Sequence, residues 1–560
     1  MTAFVRPLIL VRGFGGPDLG GVRRNAYQGF NEGTVYPGRR GENYIYEGFV
    51  LRALKYAEHL YRDATNVVGF YAGSQEAPPG SWDWNNGLLS GNVVLDPAMA
   101  DRVLGGGIDG TLWIYRYYDL EPRTIKGYGA GLVRLIDIIR CAAALRNGGG
   151  QDRFPGVDIV AHSMGGLVVR AALRQMGSAA ADGAPPSQDL VHRVVTLGTP
   201  HRGIAFQVLP RALVEEVPVV GAAADELSAF DPSSTTFSDW GGFPVERVLT
   251  VVGTDYRSYG TAIASMANRL ASLADEGSLD YNRSDGLVKQ ASAQLPGAPR
   301  TFVHKCHGGP DSLVTSREAF EIAMRFFHGT HHVRLWLDAA EVRRGKDFFG
   351  RSEFFFGVSV KPRGVDFDLF HQGPEAENCY GPFHSDDLSD GPPPLEEELS
   401  RPLSAEGDRT TGWAGPDRLI WEGWVDRSVR PADPAEASGV VFRLDVYLGE
   451  RDSFGIGFSD NVVFRKQYYL QLLPGGDGQA PALFLHTGEG HLGHGRDELE
   501  AAEGDRTSRV VRAVDTGNGA EWRFAIDGTG FGATLRVAFT EAKTEKTEKT
   551  QETAEDEGSR

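Results

Sequence analysis

The first 330 residues alternate between short apolar runs and longer stretches in which apolar residues recur every three or four positions. Short apolar runs predict buried β-strands, and the three- and four-residue spacing predicts amphipathic helices. Their alternation is typical of a mostly parallel sheet covered by helices. The predicted strands are residues 8–11, 66–71, 112–118, 157–162, 193–198, 247–253 and 301–305, and the predicted helices are residues 48–63, 127–147 and 316–329.

From about residue 331 the pattern changes to short alternating segments that are rich in aromatic and β-branched residues. Glycine, proline and acidic turns separate these segments, and helical periodicity is almost absent, which predicts an all-β, sandwich-like domain. We therefore expect an α/β domain over 1–330 and a β-rich domain over 331–540. Residues 541–560 carry charge and threonine without an apolar face, which predicts a disordered tail.

Length and charge narrow the class of protein. A chain of 560 residues exceeds what one hydrophobic core covers, so at least two domains are expected. The net charge of −18, with no concentration of basic residues in any segment, argues against nucleic acid as a partner. The three cysteines are odd in number and far apart, so we expect no disulfide framework.

The amino terminus predicts a strand and not a leader. Its apolar run is short and enters a glycine turn without the small-residue cleavage site of a signal peptide. No stretch reaches the roughly 18 apolar residues of a transmembrane helix. We expect a cytoplasmic protein without a transmembrane segment, whose secretion would need a leaderless route.

The stretch "DIVAHSMGG" (158–166) places Ser163 between an apolar strand and an apolar-faced helix. Strand, sharp turn with serine, and helix form the nucleophile elbow, in which the residues two positions before and after the serine must be small. Ala161 and Gly165 meet this requirement. The start of a helix also stabilises developing negative charge. The alternative is a serine that only occupies a tight turn or binds phosphate.

Other segments supply what a nucleophilic serine needs. The turn "RGFGG" (12–16) follows the first strand, where a backbone N–H can bind an oxyanion, so we expect donors from the amides of Phe14 and Met164. Asp285 stands in the polar turn "SDGLV", and His307 follows the last strand in "VHKCHGG". The order serine, aspartate, histidine is the one used by hydrolases of this fold.

Taken together, "AHSMGG", "RGFGG", "LGTPHRG" and "SDGLV" resemble the α/β-hydrolase lipases and esterases. The resemblance covers residues 5–330, and it is strongest to bacterial triacylglycerol lipases and the related deacylases of lipid anchors. It implies an α/β-hydrolase fold, Ser163 as nucleophile, and a triad completed by Asp285 and a histidine. The family has histidine before the oxyanion glycine, whereas this chain has Arg12.

Two assignments within the triad have competitors. His304 precedes His307 and is predicted to lie inside the strand, while His307 stands on the loop after it, where a general base has access to the cleft. Asp255 closes a strand and could also reach the site, but Asp285 stands in the lipase-like string. We favour His307 and Asp285.

The segment 203–232 follows "TPHR", is apolar and amphipathic, and contains two prolines. It is either a lid over an acyl pocket or a fixed cap, and a lid would favour long-chain lipid substrates. His201 and Arg202 at its start either line the cleft or begin a helix.

The leading hypothesis is therefore a serine-dependent carboxylic ester hydrolase that needs neither metal nor cofactor. Its substrate would be a lipid or another ester, and the β-rich domain would dock lipid or protein, with peripheral contact to a lipid surface. A phospholipase or lipid-anchor deacylase, also as a leaderless secreted effector, is the alternative enzyme. A non-catalytic binding protein with the hydrolase fold is the alternative of another class.

Overall fold

The computed structural model of the chain describes only part of the sequence, in two compact units. One unit contains Met1–Ala323 and the short segment Glu375–Asn378, and the other begins at Met324. The predicted domain boundary at residue 330 remains a prediction. The described residues are 4–13, 47–56, 61–67, 107–115, 117, 124–146, 154–202, 239–258, 284–309, 311–342, 352–383, 419–426, 439–452, 461–475, 478–503, 505, 507–517 and 519–542.

The first unit contains a seven-stranded sheet in which every neighbouring pair of strands is parallel. The strands run in the order β2-β3-β1-β4-β5-β6-β7. Every residue of β4 and of β6 is buried, as expected of strands covered on both faces. The strands are β1 (Leu8–Val11), β2 (Arg62–Val67), β3 (Thr111–Tyr115), β4 (Val157–His162), β5 (Val191–Leu197), β6 (Val248–Gly253) and β7 (Arg300–Val303).

The helices of this region agree with the apolar spacing in two of the three predicted cases. They are α1 (Glu47–Lys55), α2 (Ile125–Arg146), α3 (Met164–Ala180), the single turn α4 (Ser187–Leu190) and α5 (Arg317–His328), with a 3₁₀ helix at Val245–Arg247. Ser316 caps α5, because its Oγ accepts the N–H of Ala319 at 3.1 Å. Gly129 lets α2 approach α3, since a Cβ there would lie 2.8 Å from the Ala172 nitrogen.

The third predicted helix, 48–63, differs from the structure. Helix α1 ends at Lys55, and Arg62 already begins β2, where its N–H donates to the Gly110 carbonyl at 2.7 Å. Strand β2 is therefore earlier than the predicted 66–71. Parallel pairing with β3 determines its register, and local spacing does not contain that information.

The second unit is built from antiparallel sheets, so the predicted all-β character is confirmed. One sheet has the order β10-β9-β13-β14-β15-β16, with β11 also paired to β9, and the other has the order β12-β8-β19-β18-β17. The strands are β8 (His331–Val342), β9 (Ser352–Pro362), β10 (Phe370–His371), β11 (Tyr380–Phe383), β12 (Leu419–Val425), β13 (Val440–Asp452), β14 (Asn461–Leu473), β15 (Ala482–His486), β16 (Val510–Arg512), β17 (Val514–Gly517), β18 (Glu521–Asp527) and β19 (Phe531–Glu541).

Aromatic side chains join the two antiparallel sheets. Phe531 contacts Phe356 and Phe464 of the other sheet, and Phe442 contacts Trp421 and Phe539. The unit also contains helix α6 (Arg496–Glu503), and a 3₁₀ helix (Pro374–Ala376) stands where the chain passes from this unit into the short segment of the first. The sequence pattern predicts neither helix. Strand β19 continues to Glu541, and the predicted tail beyond residue 542 lies outside the described residues.

Candidate active site

Ser163 occupies the turn between β4 and α3 with φ 54° and ψ −130°, a conformation that is strained for a residue with a Cβ. The turn is held from both sides. The Ser163 N–H donates to the Leu197 carbonyl at 2.9 Å, and the Ser163 carbonyl accepts the Thr199 hydroxyl at 2.9 Å and the Gly166 N–H at 3.1 Å. Neighbouring loops thus fix the strained serine.

The positions around the serine that are predicted to be small have close neighbours, which explain why larger side chains do not fit there. A Cβ on Gly165 would lie 2.6 Å from the carbonyl oxygens of Val11 and Arg12, at the end of β1. A Cβ on Gly166 would overlap the Thr199 hydroxyl. Ala161, two positions before the serine, is completely buried in β4. The turn can form only because these positions leave room for the ends of β1 and β5.

His307 stands on the loop after β7 and contacts the serine directly. Its Nε2 lies 2.8 Å from the Ser163 Oγ. The competing His304 is directed elsewhere, with its Nδ1 3.1 Å from the Thr254 hydroxyl. Of the two candidate bases, the structure brings His307 to the serine.

Asp285 contacts the other nitrogen of the same imidazole, with Oδ2 2.8 Å from the His307 Nδ1. Its Oδ1 accepts the backbone N–H groups of Leu287 and Val288 at 3.1 and 2.7 Å. Nδ1 faces a carboxylate and therefore carries a proton, so Nε2 is left to accept the serine hydroxyl. The competing Asp255 instead accepts the backbone N–H groups of its own turn at Arg257 and Ser258.

Two glycines leave space for the carboxyl group. Gly198 follows β5 with φ 55°, and a Cβ there would lie 2.8 Å from the Asp285 Oδ2. Gly253 ends β6, and a Cβ there would lie 2.6 Å from the Asp285 Cβ. The three groups are buried, with exposed fractions of 8% for Ser163, 4% for His307 and 1% for Asp285. Water has little access to the pairs they form.

One of the two predicted oxyanion donors can be placed. Met164 is the first residue of α3 and is buried beside Ser163, so its N–H lies at the positive end of the helix dipole. Phe14 lies outside the described residues. Its neighbour Gly13 passes beside the serine, since a Cβ there would lie 2.9 Å from the Ser163 Cβ. Arg12, the departure from the family pattern, is buried at the end of β1.

The other singled-out residues have different surroundings. His201 and Arg202 are both buried, and His201 Nε2 lies 3.1 Å from the Thr196 hydroxyl. Burial lowers the pKa of His201 well below its usual value. Burial raises the pKa of the Cys306 thiol to about 12, so this cysteine beside His307 is not a thiolate at neutral pH. The segment 203–232 lies outside the described residues.

His162 makes a contact within the site that the sequence does not predict. This residue is buried, and its Nε2 lies 2.9 Å from the carbonyl oxygen of His307. In the sequence, only the position of His162 next to the serine indicates that it lies at the site.

In the part of the chain that the structure describes, no group of three or more histidine, cysteine or acidic side chains is arranged to hold a metal ion. None of the described helices is both long and apolar enough to cross a membrane.

A parallel sheet with a serine at the strained turn after a central strand, and with an acid and a histidine after later strands, is the α/β-hydrolase fold. The predicted fold class is confirmed. No protein-family model matches the sequence, and no curated protein matches it either.

The solved structures that are similar to this chain include a lipase and a phospholipase. Lipase B from Aspergillus fumigatus is 13% identical over 45% of this chain and 37% of its own, with a TM-score of 0.20. Phospholipase PlaB from Legionella pneumophila, in complex with thio-NAD, is 9% identical over 80% of this chain and 90% of its own, with a TM-score of 0.27. The chain thus spans little more than a third of the length of the lipase. The functional conclusion depends on the site itself.

Proposed function

We propose that this protein is a serine-dependent carboxylic ester hydrolase of the lipase and esterase type. The observation that carries the proposal is the continuous hydrogen-bonded chain from the Ser163 hydroxyl through His307 to Asp285, with both heavy-atom distances 2.8 Å. A nucleophile, a base within hydrogen-bond reach, and a group that orients the base are the requirements for nucleophilic acyl transfer.

The geometry supports a two-step reaction. His307 accepts the serine proton at Nε2 while the Ser163 Oγ attacks the ester carbonyl, and it then returns that proton to the leaving alcohol. Water repeats the sequence on the acyl-enzyme and releases the acid. Asp285 holds Nδ1 protonated and stabilises the imidazolium that forms at His307.

The negative charge of the tetrahedral intermediate needs donors. We assign the Met164 N–H as one donor, because it is the residue after the nucleophile and begins α3. The second donor would be the N–H of Phe14, the residue that follows Gly13 in the sequence. Loss of one such donor typically removes about 3–4 kcal/mol of transition-state stabilisation.

The substrate class follows from the site and from one sequence feature. The triad supports hydrolysis of a carboxylic ester, and the apolar segment 203–232 would suit a lipid acyl chain. A phospholipase or a lipid-anchor deacylase would use the same chemistry on a substrate with a polar head group. A comparison of triacylglycerol, phosphatidylcholine and p-nitrophenyl butyrate as substrates distinguishes these assignments.

The test is labelling of the full chain with a fluorophosphonate, followed by mapping of the adduct. We expect the wild type to be labelled on Ser163, and Ser163→Ala to lose labelling and at least ~10⁴-fold of its p-nitrophenyl butyrate turnover. Ser178→Ala is the matched control, because the Ser178 hydroxyl contacts only its own helix at the Arg174 carbonyl among the described residues. Labelling of Ser163→Ala, or an inert wild type, would contradict the proposal, and the inert wild type would favour a binding protein.

A further inference from the structure

Both backbone polar groups of His307 are held by other residues of the site. Its N–H donates to the Asp285 carbonyl at 2.8 Å, and its carbonyl lies 2.9 Å from the His162 Nε2. Because a carbonyl oxygen can only accept, His162 must carry its proton on Nε2 and donate it. The residue covalently joined to the nucleophile therefore binds the backbone of the base.

His162 is itself rigidly placed. It is the last residue of β4 and pairs with Leu197 of β5. A Cβ on Gly13 would lie only 2.7 Å from the His162 Nδ1, so the end of β1 limits the ring on that side. The ring of His307 limits it on another side, with the ring centroids 5.0 Å apart. The donor thus starts from a central strand and has little freedom to turn.

We infer that His162 is a positioning residue that fixes the backbone of His307, and thereby the direction of the His307 Nε2 toward the Ser163 hydroxyl. The inference rests on the proposed function. His307 stands on a loop, and the bond from His162 holds its backbone carbonyl, as the bond to Asp285 holds its backbone N–H. A displacement of about 1 Å between reacting groups can reduce a rate about 10²-fold.

The surroundings also keep His162 uncharged. Burial, and after it the neighbouring side chains of His307 and Arg12, lower the pKa of His162 to about 3. At neutral pH the ring therefore donates one hydrogen bond and adds no charge beside the imidazolium that forms during the reaction. A lysine or arginine at this position would donate a bond but would oppose that imidazolium.

The test compares His162→Met with His162→Gln in the full chain. Both side chains are unbranched and similar in length, but only glutamine can donate to the His307 carbonyl. We expect His162→Met to lower kcat about 10- to 100-fold with KM within about threefold of wild type, since chemistry and not binding is affected. We expect His162→Gln to recover at least about a third of the wild-type kcat.

Active-site titration with the fluorophosphonate counts only folded, labelled enzyme, so kcat per labelled site removes any effect of misfolding. Equal losses of kcat in the two variants, or a wild-type kcat per site in His162→Met, would overturn the inference and leave the proposed function intact. A wild type that is neither labelled nor active would overturn both.

A second measurement needs no variant. Nitrogen-15 NMR of the wild-type imidazoles should find His162 in the neutral Nε2–H form from pH 5 to 8, with its Nε2 proton protected from exchange. A neutral Nδ1–H form, or a proton that exchanges freely, would contradict the inferred bond.

Discussion

At the scale of single residues, Ser163 combines a reactive side chain with an unfavourable backbone. Its φ of 54° and ψ of −130° suit glycine, and such a conformation in another residue typically costs about 1–3 kcal/mol. The strained conformation places the hydroxyl at the end of the turn, where His307 can accept a hydrogen bond from it. We therefore expect the requirement for a side chain at this position to be functional and not structural.

This expectation can be tested by stability. The free energy of unfolding of Ser163→Gly should be about 1 kcal/mol higher than that of Ser163→Ala. Glycine relieves the backbone strain of the folded turn, and the greater conformational freedom that it gives the unfolded chain offsets only part of this stabilisation. Both variants should be inactive. Urea-induced unfolding of the two variants measures the difference. An alanine variant as stable as the glycine variant would show that the turn is not strained.

The three side chains that meet at the candidate site could be predicted from sequence, and the residues that hold them in place could not. Short motifs surround Ser163, Asp285 and His307, and the order of these motifs along the chain restricts the role of each residue. The sequence next to each residue is therefore sufficient to predict it. The contact of His162 with His307 joins residues 145 positions apart. The space that Gly253 leaves for Asp285 likewise depends on how β6 meets the acid turn, which no local pattern contains.

At the scale of elements, the strand ends shape the site. β1, β5 and β6 are parallel to β4, so their carboxyl ends share one edge of the sheet with the serine. Gly165 accommodates the end of β1, Gly198 follows β5, and Gly253 ends β6 beside the acid. Small residues at these positions bring groups from distant segments into hydrogen-bonding distance.

Gly253→Ala tests this arrangement without altering any reacting group. The new methyl group would be 2.6 Å from the Asp285 Cβ and 2.8 Å from the Lys305 carbonyl, so the acid turn must shift. We expect a loss of about 10- to 100-fold in kcat and of about 1–3 kcal/mol in the free energy of unfolding. Ester hydrolysis and urea unfolding measure the two effects.

Gly490→Ala is the matched control, because Gly490 is exposed in a turn and a Cβ there meets no atom within 4 Å. It should leave both quantities unchanged. If Gly253→Ala also behaved like wild type, the acid turn would be more adaptable than the contacts indicate, and Gly253 would have no part in placing Asp285.

Element prediction failed where tertiary pairing decides the outcome. The apolar spacing of 48–63 continues past Lys55, yet the chain enters β2 at Arg62 because that residue pairs with the start of β3. Helix α6 was missed because it is short and acidic and buries only Leu499 and Ala502, too few positions to produce a periodic pattern. The short apolar strands at the centre of the parallel sheet are predictable, because burial on both faces makes nearly every residue of such a strand apolar.

At the scale of the whole molecule, both units bury histidines in uncharged form. In the first unit burial lowers the pKa of His162 to about 3 and that of His201 well below its usual value. In the second unit burial, with His491 and His494 nearby, lowers the pKa of His486 to about 4. Neither ring nitrogen of His486 has a hydrogen-bond partner among the described residues. The unfolded chain binds protons at these groups that the folded chain does not, so both units should lose stability on acidification.

The lowered pKa values of these histidines determine the pH range in which the two units lose stability. Above pH 6.5 these groups are neutral in the folded and the unfolded chain, and each lowers the free energy of unfolding as the pH falls from 6.5 toward the folded-state pKa, about 3 for His162 and about 4 for His486. Between pH 7.5 and 5.0, one such histidine removes about 2 kcal/mol from the free energy of unfolding.

His486→Phe isolates one of these contributions, because phenylalanine fills a similar volume at the end of β15 and has no proton to bind. We expect this variant to be at least as stable as wild type at pH 7.5, since no hydrogen bond within the described residues is removed. Between pH 7.5 and 5.0, the free energy of unfolding of its second unit should fall by about 2 kcal/mol less than in wild type.

Leu485→Ala in the same strand is the control. It should destabilise the second unit equally at both pH values, and it therefore identifies the transition of this unit in urea unfolding. If His486→Phe kept the full pH dependence of wild type, the acid sensitivity of the second unit would arise from its carboxylates or its other histidines, and burial of His486 would not be its cause.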